Sequence, residues 1–171
     1  MFPFRFCAIC GAPLTETKLP TEERPRLVCV SCAYVHYINP KVVCGTLTAQ
    51  DGRLWLLRRG IEPRLGYWSY PAGFQEWDES SQDAALRETK EEIGCDVLIE
   101  KLFGVYSSPG APVVNIVYSA ALLATSLPPT TTSEAIEVRA FSPEELPWND
   151  LAFHSTRAVL LDWVRHSQGN R

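Results

Sequence analysis

The sequence predicts an α/β/α sandwich built on a mixed sheet and preceded by a small module pinned by two cysteine pairs. Three observations lead there. Residues 42 to 58 read as a strand hairpin, residues 80 to 93 repeat apolar side chains at helical spacing, and the later strands and second helix do not follow a regular βαβ series. The block 1–38 differs in composition from everything after it and forms one expected domain, with 39–171 as the other.

Taken in order, Cys7, Cys10, Cys29 and Cys32 flank the loop Gly11 to Val28, rich in Pro, Thr and Glu, which fits a tiny hairpin module. Val42 to Ala49 and Leu54 to Arg58 are apolar strands on either side of the turn Gln50-Asp51-Gly52. A Gly/Pro-bearing loop runs from Gly60 to Gly73. Ser80 to Ile93 is then a helix with Ala84, Ala85, Leu86, Thr89 and Ile93 on its apolar side. Val97 to Tyr106 and Val113 to Ala124 read as strands around the turn Ser107 to Pro112, and Ala135 to Phe141 as another. Ser142-Pro143-Glu144-Glu145 has the form of a capping box. A terminal helix over residues 155–166 offers Val159, Leu160, Trp163 and Val164 for burial.

A chain of 171 residues with 46% hydrophobic content can bury one good core and carry a small appendage. Met1 to Cys10 hold no charged region followed by a long apolar run, and no stretch of about 18 apolar residues occurs, so the chain reads as cytoplasmic and without a membrane partner. The net charge is -4, with +1 on the first 38 residues and -5 on the rest. That balance disfavours a broad nucleic-acid surface and suits an enzyme whose own carboxylates hold divalent cations.

Cys7-Ala8-Ile9-Cys10 and Cys29-Val30-Ser31-Cys32 are two C-x2-C knuckles with 18 residues between them, a spacing that brings four thiolates around one tetrahedral Zn2+. Two disulfides are the alternative, without an export signal to accompany them. Four thiolates leave no open coordination position, so such a zinc is structural and the chemistry lies elsewhere. Cys44 and Cys95 read as core residues, and His36, His154 and His166 show no metal spacing with one another.

The chemistry concentrates between Gly73 and Cys95. At about 100° per residue, Glu88, Glu91 and Glu92 share one helix face while Leu86, Thr89 and Ile93 point towards the sheet. Three carboxylates on one face repel one another unless cations intervene, and hard oxygen ligands suit Mg2+ or Mn2+. The bland alternative is a solvated face eased by Arg87 and Lys90. The wider pattern Gly73-x5-Glu79-x7-Arg87-Glu88-Thr89-x-Glu91-Glu92-x-Gly94-Cys95 resembles the Nudix box, departing from it only where Thr89 and Cys95 replace bulky apolar residues.

Resemblance to the Nudix hydrolases covers about Lys41 to Phe153. It implies that Glu88, Glu91 and Glu92, with the Gly73 carbonyl, hold catalytic Mg2+ or Mn2+ while Glu79 and Arg87 pair to anchor loop and helix. It also implies water attack on phosphorus in a nucleoside diphosphate linked to a second moiety. With the cysteine ribbon, the chain is similar to two subgroups, the NADH pyrophosphatases and the FAD/ADP-ribose pyrophosphatases. Tyr106-Ser107-Ser108-Pro109-Gly110-Ala111-Pro112 lacks the aromatics of the Ser-Gln-Pro-Trp-Pro-Phe-Pro array that marks the NADH group. Ser133 to Phe141, Glu145 to Trp148 and Leu151 to Phe153 look like the FAD/ADP-ribose group.

By the same resemblance Glu137 is a candidate for a further metal ligand or the general base, against the alternative that it pairs with Arg139 or Arg59. Arg58 and Arg59 end a strand with opposite facing, and Arg59 is the candidate to grip substrate phosphate. Of Trp68, Tyr70, Phe74 and Trp77, Trp77 is the candidate to stack on a base. The expected partner is a dinucleotide, giving AMP and a second phosphate product, and the resemblance implies a homodimer. A regulator that binds ADP-ribose without turnover, or an enzyme acting on RNA ends, are the competing readings.

Overall fold

The computed structural model describes residues 4–169 and divides the chain into two compact units, Met1–Asn39 and Pro40–Arg171. In the first, β1 (Leu14–Thr17), β2 (Arg26–Cys29) and β3 (Val35–His36) form an antiparallel sheet in that order. Among its described residues the buried apolar side chains are Leu27, Cys7 and Cys29. Ion pairing between Arg26 and Glu22 at 2.7 Å and a hydrogen bond from Tyr37 to Glu22 at 3.0 Å brace its long loop.

The second unit opens with β4 (Lys41–Gln50) and β5 (Arg53–Arg59), joined by Asp51 and Gly52. Both turn residues have positive φ, 50° and 74°, the backbone that a two-residue hairpin turn with right-handed strand twist requires. β6 (Trp68–Ser69) and β7 (Ala72–Phe74) add short strands inside the segment expected to be loop. Strands of two or three residues are too brief to leave a periodicity. Then come α1 (Ser81–Ile93), β8 (Val97–Tyr106), β9 (Val113–Leu122), β10 (Ala135–Phe141), a 3-10 turn at Pro143–Glu145 and α2 (His154–Gly169). The strand order is β10-β5-β4-β9-β8, with β6 on β5 and β7 on β4. β4 and β9 run parallel and the other pairs antiparallel, which makes the sheet mixed.

Alternation along the strands sorts side chains between the two helices. Leu47, Leu54, Leu56 and Val117 pack with Val159, Leu160 and Trp163 of α2, whereas Leu57, Ala120 and Val97 pack with Ile93, and Cys44 and Tyr118 with Ala84 and Ala85 of α1. This is the predicted sandwich. The two atypical box residues are explained by what they meet. Thr89 is fully buried, with its hydroxyl 2.7 Å from that of Thr46 and 2.7 Å from the Ala85 carbonyl it bonds, and Cys95 is fully buried among Ile93, Leu57 and Val97.

Candidate metal and active site

In the N-terminal unit the Cys7, Cys10, Cys29 and Cys32 sulfurs all lie within 4.8 Å of one another. Cys7–Cys32, Cys10–Cys29 and Cys10–Cys32 are 3.7, 3.4 and 3.5 Å apart. A disulfide needs about 2.05 Å, while four thiolates around zinc at about 2.3 Å sit about 3.8 Å apart. All four cysteines are free, and the donor set fits a tetrahedral metal rather than two disulfides. Amides of Cys32 and Ser31 point at the Cys29 sulfur and pull its thiol down to about 6, towards the thiolate a metal requires.

In the second unit α1 carries the acidic face. It starts on the Ser80 cap, whose hydroxyl accepts from the Asp83 amide while the Asp83 carboxylate answers Ser80, and it stops at Gly94 in the left-handed region. Arg87 organises the loop before it. Its guanidinium meets both Glu79 oxygens, at 2.6 and 3.0 Å, bonds the Phe74 carbonyl at 3.1 Å, and reaches Glu88 at 2.7 Å and Glu91 at 3.0 Å. The Glu79 carboxyl is consequently held down to about 2, by Arg87 first and the Glu76 amide second.

Gly73 sits where no larger residue fits. A Cβ there would lie 2.1 Å from the carboxyl carbon of Glu88. One residue earlier, the Ala72 amide donates to Glu92 Oε2 at 2.7 Å. Glu92 is only 4% exposed, and burial pushes its carboxyl up to about 8 despite that amide and the Arg59 charge, with Glu88 and Glu134 raising it further. Burial raises Glu88 as well, opposed by Arg87 and reinforced by Glu91 and Glu134. Glu91 is half-exposed.

Of the two later glutamates, Glu134 is the one whose charge acts on Glu88 and Glu92, while Glu137 lies with Arg58. Glu137 is the register partner of Arg58, lies 3.7 Å from its guanidinium, and shares with it the sheet face opposite Leu57 and α1. It pairs with neither Arg139 nor Arg59. A register shift between Ala135 and Glu137 ends the regular pairing just there. Glu134, half-buried before the shift, has its carbonyl bonded by the Gly60 amide at 2.7 Å, and Thr132 ties the Glu92 carbonyl to the Glu134 amide. Alternation turns residues three apart to opposite faces, but it does not say which of the two meets α1.

Arg59, on the α1 face, is 9% exposed, donates to the Pro63 carbonyl at 2.9 Å and lies 5.4 Å from the Phe153 ring centre. Trp77 is almost wholly exposed in the loop before α1, Phe74 is half-exposed under the Lys41 ammonium, and Trp68 and Tyr70 belong to the core. Phe153 also lines a cavity of about 750 Å3 between the β8–β9 turn and the start of α2. Asn115, Tyr106, Ser108, His154 and Ser155 line it too, and none of them was singled out from sequence as a ligand. The available signal was Asn115 itself, a lone carboxamide in the apolar run Val113 to Val117.

A NUDIX domain model matches residues 39–164, and a Nudix N-terminal zinc-ribbon model matches residues 5–38. An ADP-ribose pyrophosphatase of Methanocaldococcus jannaschii is 31% identical over 140 residues, 80% of each chain. A NAD-capped RNA hydrolase NudC of Pseudomonas putida is 34% identical over 97 residues, 54% of this chain and 32% of that protein. The crystal structure of a NUDIX hydrolase from Nitrosomonas europaea superposes with a TM-score of 0.86 at 34% identity, covering 98% of this chain and 94% of the other.

Proposed function

The chain belongs to the NUDIX hydrolase family, and from that premise we propose that it hydrolyses the diphosphate of ADP-ribose or FAD to AMP and a second phosphate product. The observation that carries the reading is the acidic face of α1, complete in Glu88, Glu91 and Glu92 and seated against Gly73. A non-catalytic regulator has no need of that full carboxylate set.

The donor set suits Mg2+ or Mn2+. Glu92 is a buried carboxyl with one oxygen tied to an amide and, among the described residues, no cationic side chain bonded to it, so a divalent ion would supply the charge its ionised form lacks. Glu88, Glu91, Glu92 and Glu134 would hold the ions, beside the backbone of Ala72 and Gly73. When bound, such ions neutralise the diphosphate and acidify a water. Arg87 and Glu79 hold the loop so that the Gly73 backbone stays against Glu88. Arg59 supplies a fixed guanidinium beside the carboxylates, suited to a phosphate oxygen. Glu134 is a better-placed proton acceptor than Glu137, because its charge reaches both Glu88 and Glu92. Zinc in the ribbon and a homodimer belong to the same proposal, the latter tested by sedimentation.

The test incubates the protein with Mg2+ or Mn2+ and, separately, ADP-ribose, FAD, NADH, NAD and a diadenosine polyphosphate, beside a Glu91→Gln/Glu92→Gln control. AMP release from ADP-ribose or FAD by the parent alone is the expected result. Preference for NADH or NAD moves the substrate to the other subgroup, and tight ADP-ribose binding without turnover overturns the enzyme reading.

A further inference from the structure

We propose that the cavity beneath the β8–β9 turn takes the adenine of the substrate and that the Asn115 carboxamide reads its edge, an inference that rests on the dinucleotide reading above. Asn115 is 7% exposed, and its backbone is paired on both sides, with Val43 of β4 and Tyr106 of β8. A side chain rooted in the middle of a sheet keeps its position as a loop residue does not. Among the described residues no protein group bonds its carboxamide, which opens onto the cavity rather than being sealed away from it. The neighbouring Val113, Val114, Ile116 and Val117 are apolar, so a carboxamide is the exception on this stretch of strand.

A carboxamide offers one donor beside one acceptor. Adenine offers the complementary pair on either exposed edge, its amino group beside a ring nitrogen. Guanine offers two acceptors on one edge and, on the other, an additional amino donor that a single carboxamide leaves unpaired. Phe153 adds an aromatic wall to the same cavity, and its ring lies under the Arg59 guanidinium whose charge acts on Glu92. The cavity is thereby linked through Phe153 and Arg59 to the carboxylates. A base held against Phe153 leaves its diphosphate to run towards them.

The test is calorimetric binding of AMP, GMP and purine riboside 5'-monophosphate to the full chain, with ADP-ribose and GDP-mannose turnover in parallel. The parent is expected to bind AMP at least tenfold more tightly than either other nucleotide, the third lacking only the amino group. Asn115→Asp presents two acceptors, so it should lose roughly tenfold to a hundredfold in AMP affinity and gain GMP, with KM moving and kcat little changed. Asn115→Leu should lose AMP without gaining GMP. The ligand series on the parent needs no variant, so misfolding of either substitution does not rescue the idea. Equal binding of the three nucleotides by the parent, or unchanged selectivity in folded Asn115→Asp, overturns it. Selective AMP binding without turnover leaves this inference standing and overturns the proposed function, whereas turnover without base selectivity does the reverse.

Discussion

Arg87 and Glu79 face each other through two hydrogen bonds, Nη2 to Oε1 at 2.6 Å and Nε to Oε2 at 3.0 Å, across the turn between the Gly73 loop and α1. Lysine cannot reproduce that fork. Arg87→Lys should therefore lower kcat/KM by roughly tenfold to a hundredfold through displacement of the loop, with the fold retained. The pair also carries a pH signature. The folded Glu79 carboxyl is depressed to about 2, so its contribution to stability is complete above the ordinary carboxylate range and is lost as pH falls from about 4.5 towards 2. Glu79→Gln should flatten that acid limb in urea denaturation measured between about pH 2 and 6.

Gly73 is required by contact and not by backbone angle. Its missing Cβ would overlap the Glu88 carboxyl group, with the carboxyl carbon at 2.1 Å and both oxygens within 2.3 Å. Gly73→Ala must push Glu88 out of line. The expected outcome is a loss of about a hundredfold in activity and a weaker Mn2+ requirement curve, with α1 intact by circular dichroism. Full activity in this variant would show that Glu88 does not work from its present position.

Glu92 sets stability against function. Burial raises its folded carboxyl to about 8, so folding favours the protonated form and the metal-free protein loses stability as pH rises from the carboxylate range through 8. Glu92→Gln keeps a neutral group in the same place. In the presence of chelator at about pH 8 the variant should melt several degrees above the parent while being inactive. Mg2+ or Mn2+ should raise the Tm of the parent and leave that of the variant unchanged.

The four-cysteine cluster predicts one zinc per chain by atomic absorption, with none or a small fraction in Cys10→Ser/Cys32→Ser. Because the described residues of the N-terminal unit bury little besides Leu27, Cys7 and Cys29, metal removal should abolish its folded amide signals rather than loosen them. An intense visible absorption from the purified protein would point to iron in place of zinc.

What could be read in the sequence was whatever depends on local spacing. The helix with its Ser80 cap, the Asp51-Gly52 hairpin, the cysteine knuckles and the carboxylate face all follow from residues within a few positions of one another. Long-range placement was harder to read. Trp68 and Tyr70 stand only a few residues before the box that contains Phe74, yet they are core residues because β6 folds back on β5. Asn115 stands out in sequence as a lone carboxamide among apolar residues, but its place on a cavity wall follows only once β4 and β8 enclose it and the turn from Ser107 to Pro112 forms another wall.

Glu134 and Glu137 are two carboxylates three residues apart with different surroundings. Strand alternation already turns residues three apart to opposite faces; in the structure Glu137 pairs with Arg58, whereas the Glu134 charge acts on Glu88 and Glu92. Glu134→Gln removes a charge that acts on both Glu88 and Glu92, so it should cut kcat by roughly a hundredfold and shift the pH–rate profile. Glu137→Gln removes only a half-exposed ion pair at 3.7 Å, worth about 0–1 kcal/mol, and should change kcat little. Measuring kcat and KM for both variants over the same pH range decides the assignment. A large loss in Glu137→Gln with near-normal Glu134→Gln would mean that the β10 end rearranges when substrate binds.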